Sequence, residues 1–160
     1  AVTVPKPSID ESLCNGCGAC SGICRYNALV NLGKRVLFFP ELCHSCGGCS
    51  LICPAGAIRE EASEIGNLDF ARIDRLKLLS GTLSVGRAMS PPLIRAVKKH
   101  IPEHGLSIID CPPGTSCPMV ASIRNSDFVL LVTEPTPFGL HDLKLAVIRF
   151  VSWGFLMESF

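Results

Sequence analysis

The sequence predicts a mixed α/β chain built in two parts. A compact cysteine-rich module covers residues 8–61, part of a parallel α/β sheet covers 62–160, and residues 1–7 are the remnant of a preceding strand. Three observations predict this. Eight of the ten cysteines fall into two runs of identical spacing, offset by 29 residues. Downstream of them, short continuous apolar runs alternate with amphipathic stretches, the pattern of strands buried on both faces between helices. At 160 residues, 48% hydrophobic and 18% charged, the chain is too apolar for disorder and long enough for one large or two small domains.

The first part is an internal repeat. Cys14, Cys17, Cys20 and Cys24 recur as Cys43, Cys46, Cys49 and Cys53; Gly18 maps onto Gly47, Ala28 onto Ala57 and Leu29 onto Ile58. Glycines among the cysteines let the backbone curl around a ligand instead of extending. Between the runs, residues 32–39 read as a small hairpin with Gly33 in its turn.

From about Ala62 a polar stretch leads to a strand over residues 76–79 and a glycine-punctuated segment, Gly81 to Gly86. Pro91 and Pro92 start a helix with Ser90 as its cap, since a missing N–H costs nothing in the first turn. Leu93, Ile94 and Val97 share one face of it, and Lys98 and Lys99 suit its negative C-terminal end. Residues 106–109 and 128–132 read as buried strands, and residues 140–151 have helical spacing through Leu143, Val147 and Phe150.

Composition narrows the function. Lys and Arg number 15 against 14 Asp and Glu, a net charge of +1 that gives no electrostatic case for nucleic acid or an anionic membrane. The longest apolar stretch, residues 143–157, is broken by Lys144 and Arg149, so no membrane span is expected. Without a secretory signal, clustered thiols point to metal in a reducing, cytoplasmic compartment. The chain opens on Ala1, not Met, and reads as a piece of something longer.

The spacing C-x2-C-x2-C-x3-C, with Pro54 after the second copy, carries the strongest chemical signal. In that pattern three closely spaced thiolates hold one iron–sulfur cluster and the fourth cysteine crosses to the other. One cluster takes Cys14, Cys17, Cys20 and Cys53; the other takes Cys43, Cys46, Cys49 and Cys24. Two zinc sites are the alternative, and the crossed eight-thiol pattern argues against them. Arg25 follows Cys24 where a proline follows Cys53; it is expected to be a solvated charge, the alternative being a cation that raises one cluster's potential, and His44 an exposed, idle ring. The second signal is Asp110 at the end of a strand, ahead of Gly114. Such a carboxylate can hold a Mg²⁺-bound water, and backbone N–H groups near the glycine can face a phosphate; a plain turn-capping Asp is the alternative. Gly81-x4-Gly86 matches a phosphate loop in spacing alone, without its Lys or its Ser/Thr. Cys111 and Cys117 read either as buried small hydrophobes or as plain loop thiols.

Residues 8–61 resemble the two-cluster bacterial-type ferredoxins. Asp110-Cys111-Pro112-Pro113-Gly114-Thr115-Ser116-Cys117-Pro118 looks like the switch II segment of MinD/Mrp-type P-loop ATPases, and residues 133–144 look like the next strand-end loop and helix of the subgroup with an inserted ferredoxin domain. The resemblance implies a partial P-loop NTPase fold with an inserted α+β dicluster ferredoxin-like module. It implies two 4Fe–4S clusters, and Asp110 and Gly114 near a Mg-nucleotide, with Mg-ATP bound only in an intact longer chain carrying the absent N-terminal P-loop. A redox partner protein is expected, with a homodimer among the arrangements open to the intact protein. The function implied is electron transfer coupled to a nucleotide switch; the alternatives are an Mrp-type cluster carrier, or a redox adaptor whose α/β part only docks partners. That family also calls for a Gly-Ile-Pro-like turn into a further strand after the last helix, where this chain has Trp153 to Phe160. Read from the last base of the Ser152 codon, the same bases permit Leu-Gly-Ile-Pro-Tyr-Gly-Val-Val, so a frameshift is expected here. Sequencing the coding DNA checks it: the shifted frame should continue with apolar codons, and a stop or polar run there refutes it.

Overall fold

The computed structural model describes residues 1–87 and 89–152. The segment from Trp153, to which the frameshift expectation applies, lies outside the described residues. The chain divides into two compact units, residues 1–97 and 98–160. The composition shift that sets the sequence boundary at 61/62 falls inside a strand of the first unit.

That unit opens with β1 (Val2–Ile9), then α1 (Ala19–Ile23), a hairpin of β2 (Leu29–Asn31) and β3 (Val36–Phe38), and α2 (Gly48–Ile52). A long strand β4 (Ile58–Ile73) turns back into β5 (Leu76–Leu83), and α3 (Pro91–Lys98) follows. Both sheets are antiparallel: a three-stranded sheet in the order β1-β4-β5, and the two-stranded β2-β3. The hairpin expected over residues 32–39 forms, one turn earlier than its apolar residues suggest. Asn31 accepts from the Gly33 N–H at 3.0 Å, and the Leu32 N–H reaches the Arg35 carbonyl at 2.8 Å.

The polar stretch that the sequence places from about Ala62 forms most of β4. Its exposed glutamates mask the pattern, and it is held as a strand because it pairs first with β1 and then with β5. Gly66 sits where the ladders meet, opposite both Val2 and Leu83; a Cβ there would lie 2.3 Å from the Thr82 carbonyl oxygen. Pro5 and Pro7 are tolerated in β1 because it is an edge strand. Val4, Ile65 and Leu93 form one core of this unit. Gly81 has a packing explanation: it lies in β5, where a Cβ would meet Val97 Cγ2 at 2.9 Å.

The second unit contains α4 (Cys117–Ile123) and α5 (Pro137–Ser152). Thr136 caps α5, its Oγ1 accepting from the Gly139 N–H at 3.0 Å, and Pro137 fills the first helical position. Met119, Ile123 and Phe150 form the core, with Val129 and Leu131 packed against it. The parallel sheet predicted for this half is not formed among the described residues: neither 106–109 nor 128–132 carries a ladder. Phe128, Leu130 and Val132 are exposed while Val129 and Leu131 face the helices. The run therefore alternates in burial as a strand does, but with helices on one side and, among the described residues, no strand beside it. Lys98 differs too. Its ammonium donates to the carbonyls of Ser122 and Arg124 at the end of α4, stabilising that helix's C-terminus.

Candidate metal centre

The 29-residue repeat is a repeat of backbone conformation. Left-handed residues recur in register: Gly16 (φ 70) and Ser45 (φ 52), Gly18 (φ 78) and Gly47 (φ 74), Asn27 (φ 52) and Gly56 (φ 60). Gly18 and Gly47 each lead into a five-residue helix, α1 and α2, whose C-caps are Cys24 (φ −74, ψ 99) and Cys53 (φ −69, ψ 109). Each run of three cysteines thus wraps a concave loop, and the fourth cysteine leaves it in an extended conformation.

Pairing then crosses the halves. Ile9, ahead of the first run, pairs with Ile58, after the second; Leu29, after the first run, pairs with Phe38, ahead of the second. The Asp10 N–H donates to the Ala57 carbonyl at 2.8 Å, and the Phe39 N–H to the Ala28 carbonyl at the same distance. In consequence Cys53 shares a pocket with Cys14, Cys17 and Cys20, walled by Ile9, Val36 and Ile58. Those four thiols are the set the sequence assigns to one cluster. Cys20, Leu29, Val36 and Ile58 are the buried centre of the core around them.

For the other set, the Ser45 N–H points at Cys43 Sγ at 3.4 Å, a bond of the kind that tunes thiolate ligands. A Cβ on Gly48 would lie 3.5 Å from Ile23 Cδ1 and 3.7 Å from Cys46 Sγ, so the neighbour of Cys24 packs beside the second run. Burial pushes the Cys20 and Cys49 thiols up from their ordinary range. These are equivalent positions, and cluster assembly at either must displace a thiol proton. Soft thiolates in this spacing suit iron–sulfur clusters, which would supply one-electron transfer when bound. Among the described residues, no three His, Cys, Asp or Glu side chains converge closely enough to hold a single metal ion.

His44 is not the idle ring expected: it is half-buried and stacks on Tyr26, centroids 3.5 Å apart and planes 8° from parallel. The stack joins the residue after Cys43 to the second residue after Cys24. Asn31 was not singled out from the sequence, yet its Nδ2 donates to the Gly16 carbonyl at 3.0 Å and so ties the first loop to the hairpin. Lys6 was also missed, since nothing in a short strand sequence marks which cation turns inward.

Asp110 is exposed and lies in no helix or strand; Gly114 adopts φ 87 with open space where a Cβ would be. Cys111 packs against the Met119–Ile123–Phe150 core, and Cys117 is the exposed first residue of α4. Nucleotide binding needs a phosphate cradle, and no lysine-bearing glycine loop stands near Asp110 in the sequence.

Residues 7–30 and 36–59 each match the family model described as a 4Fe–4S binding domain. The chain is 32% identical over 130 residues to the uncharacterized protein MJ0579 of Methanocaldococcus jannaschii, an alignment covering 78% of this chain and 46% of that protein. It is 34% identical over 131 residues to MJ0578 of the same organism, covering 81% and 46%. The chain spans about half the length of these curated relatives. The two ferredoxin-type motifs support a dicluster ferredoxin domain and an iron–sulfur electron-transfer module.

Two glycines give opposite expectations. A Cβ on Gly16 would lie 1.8 Å from the Gly33 carbonyl oxygen in a left-handed backbone, whereas Gly22, in α1, has nothing within 4 Å. Gly16→Ala should destabilise the module by at least about 1–2 kcal/mol from conformation alone. Gly22→Ala should stabilise it by about 0.5–1 kcal/mol, and thermal unfolding of both variants checks the contrast.

Proposed function

We propose that this chain is the iron–sulfur electron-transfer part of a MinD/Mrp-type P-loop ATPase, holding two 4Fe–4S clusters in an inserted ferredoxin module. The observation that carries the cluster assignment is the crossed pairing that brings Cys53 into one pocket with Cys14, Cys17 and Cys20. By the same pseudo-symmetry Cys24 completes the set of Cys43, Cys46 and Cys49. In the ATPase reading, Asp110 stands on the metal side of a nucleotide and Gly114 gives the switch loop its turn. The order of the segments 110–118 and 133–144 behind the ferredoxin module supports that reading. The redox partner is a protein that approaches the exposed Cys17 and Cys46 side of the loops, where the path for an electron is shortest.

Anaerobically prepared protein should contain close to eight iron and eight sulfide per chain, matching the eight paired thiols. Cys53→Ser should damage the cluster held by the first run, leaving the spectrum of the other intact. Two tight zinc ions per chain, without charge-transfer absorption, would sink the assignment.

The 160-residue chain should show no ATP hydrolysis above background, because phosphoryl transfer needs the lysine-bearing loop and Mg²⁺ in place together. Turnover that Asp110→Asn abolishes would expose a phosphate site of a different design.

A further inference from the structure

The two thiol sets sit in different electrostatic surroundings, and the pseudo-symmetry makes the difference legible. Lys6 and Arg35 are equivalent positions, 29 residues apart, as are Glu11 and Pro40. In one half Arg35 Nε meets Glu11 Oε1 at 2.9 Å, and both side chains are about two-thirds exposed (66% and 63%). In the other half Lys6 Nζ donates to the Pro40 carbonyl, three residues before Cys43. Lys6 is 7% exposed, the one charged side chain buried among the described residues. It has no carboxylate within ion-pair reach, since Arg35–Glu11 is the one ion pair among those residues. The pocket it lines is shared with Cys43, His44, Glu41 and Arg87.

An ammonium removed from water without an opposite charge is costly, and such groups are kept where a counter-charge is brought to them. Glu41 is exposed, and its attraction does not offset the burial and the Arg87 repulsion that lower the Lys6 pKa. Four thiolates outweigh the positive charge of an iron–sulfur core, so a cluster at Cys43 presents an anion to Lys6. Reduction adds one more negative charge there. Among the described residues the first set has no equivalent buried cation, because the one at position 35 is already neutralised by Glu11 in water-exposed surroundings where charges are screened.

We propose that the buried Lys6 is the electrostatic partner of the cluster held by Cys43, Cys46, Cys49 and Cys24, raising its reduction potential above that of its pseudo-symmetric neighbour so that it fills first. This rests on the cluster ligation proposed above. Arg87, on the same pocket and hydrogen-bonded to Ser63 Oγ at 3.4 Å, adds to the same field. Net charge near a cluster is one of the recognised controls on its potential.

The test is a reductive titration of the anaerobic 160-residue chain followed by electron paramagnetic resonance, with iron and sulfide measured on every sample. The wild-type chain should give two separate couples. Lys6→Met, which keeps the aliphatic stem and removes the charge, should move the higher couple to a more negative potential and leave the lower one in place. The couple that moves should be the one perturbed by Cys46→Ser, and Lys6→Arg should leave both near wild type. Arg87→Gln should move the same couple in the same direction by a smaller step; it decides the matter if Lys6→Met does not assemble. Unmoved couples in a fully loaded Lys6→Met, equal displacement of both, or movement of the Cys14-side couple alone would overturn the proposal. A wild-type chain lacking eight iron would instead defeat the ligation, which is a separate failure read before any titration begins.

Discussion

Two backbone hydrogen bonds, Asp10 N–H to the Ala57 carbonyl and Phe39 N–H to the Ala28 carbonyl, express the constraint on which the first unit depends. Each ties the chain just ahead of one cysteine run to the chain just past the other. The same crossing continues into the β1–β4 and β2–β3 ladders. A duplicated sequence that paired each half with itself would put all four cysteines of a run on one loop. Crossing the halves separates Cys53 from the other three of its run and brings it into the pocket of Cys14, Cys17 and Cys20. The small buried residues Ala28 and Ala57 sit at those junctions, where a larger side chain would push the strands apart.

Around that crossing the module has little apolar area to stabilise it. Its core is Cys20, Leu29, Val36 and Ile58, with more cysteines packed on it, so thiol side chains stand where a larger domain would place aliphatic ones. Small domains of this kind commonly rely on metal for their stability, and the raised Cys20 and Cys49 thiols fit that economy: the protonated, apolar form packs when the site is empty. The duplication is not symmetric in charge. The Arg35–Glu11 pair and the Lys6–Pro40 contact occupy equivalent places, one exposed and neutralised, the other buried and cationic.

The second unit has the opposite character. Its helices are well specified: Thr136 caps α5, Pro137 opens it, and Gly139 is required because a Cβ would lie 2.3 Å from the Glu134 carbonyl oxygen. Its extended segments are not. Val129 and Leu131 find Met119, Ile123 and Phe150, but the other faces of the same run are bare. A buried parallel strand needs neighbours on both edges and layers on both faces. Among the described residues one layer is present, and a continuous apolar run that reads as such a strand does not form one there. Among the described residues, no helix is long and apolar enough to cross a membrane.

The sequence by itself determined the repeat, its four-plus-four thiols, the hairpin between the runs, the helix opening at Pro91 and the helical spacing of residues 140–151, because spacing, glycine and proline are local signals that neighbours in the chain carry. That the last helix starts at Pro137 came from the structure. The sequence could not identify β4, whose glutamates read as a polar connection until β1 and β5 pair with it from either side. Nor could it distinguish Lys6 from Arg35: both are cations eight residues ahead of a cysteine run, and burial of one and exposure of the other follow from which strand lies beside each. The stacking of His44 on Tyr26 was hidden for the same reason, since it joins residues from opposite halves of the repeat. What only the tertiary structure decided is thus every property that depends on the crossing. Local sequence sets the shape of each loop, while long-range pairing sets which loop faces which charge.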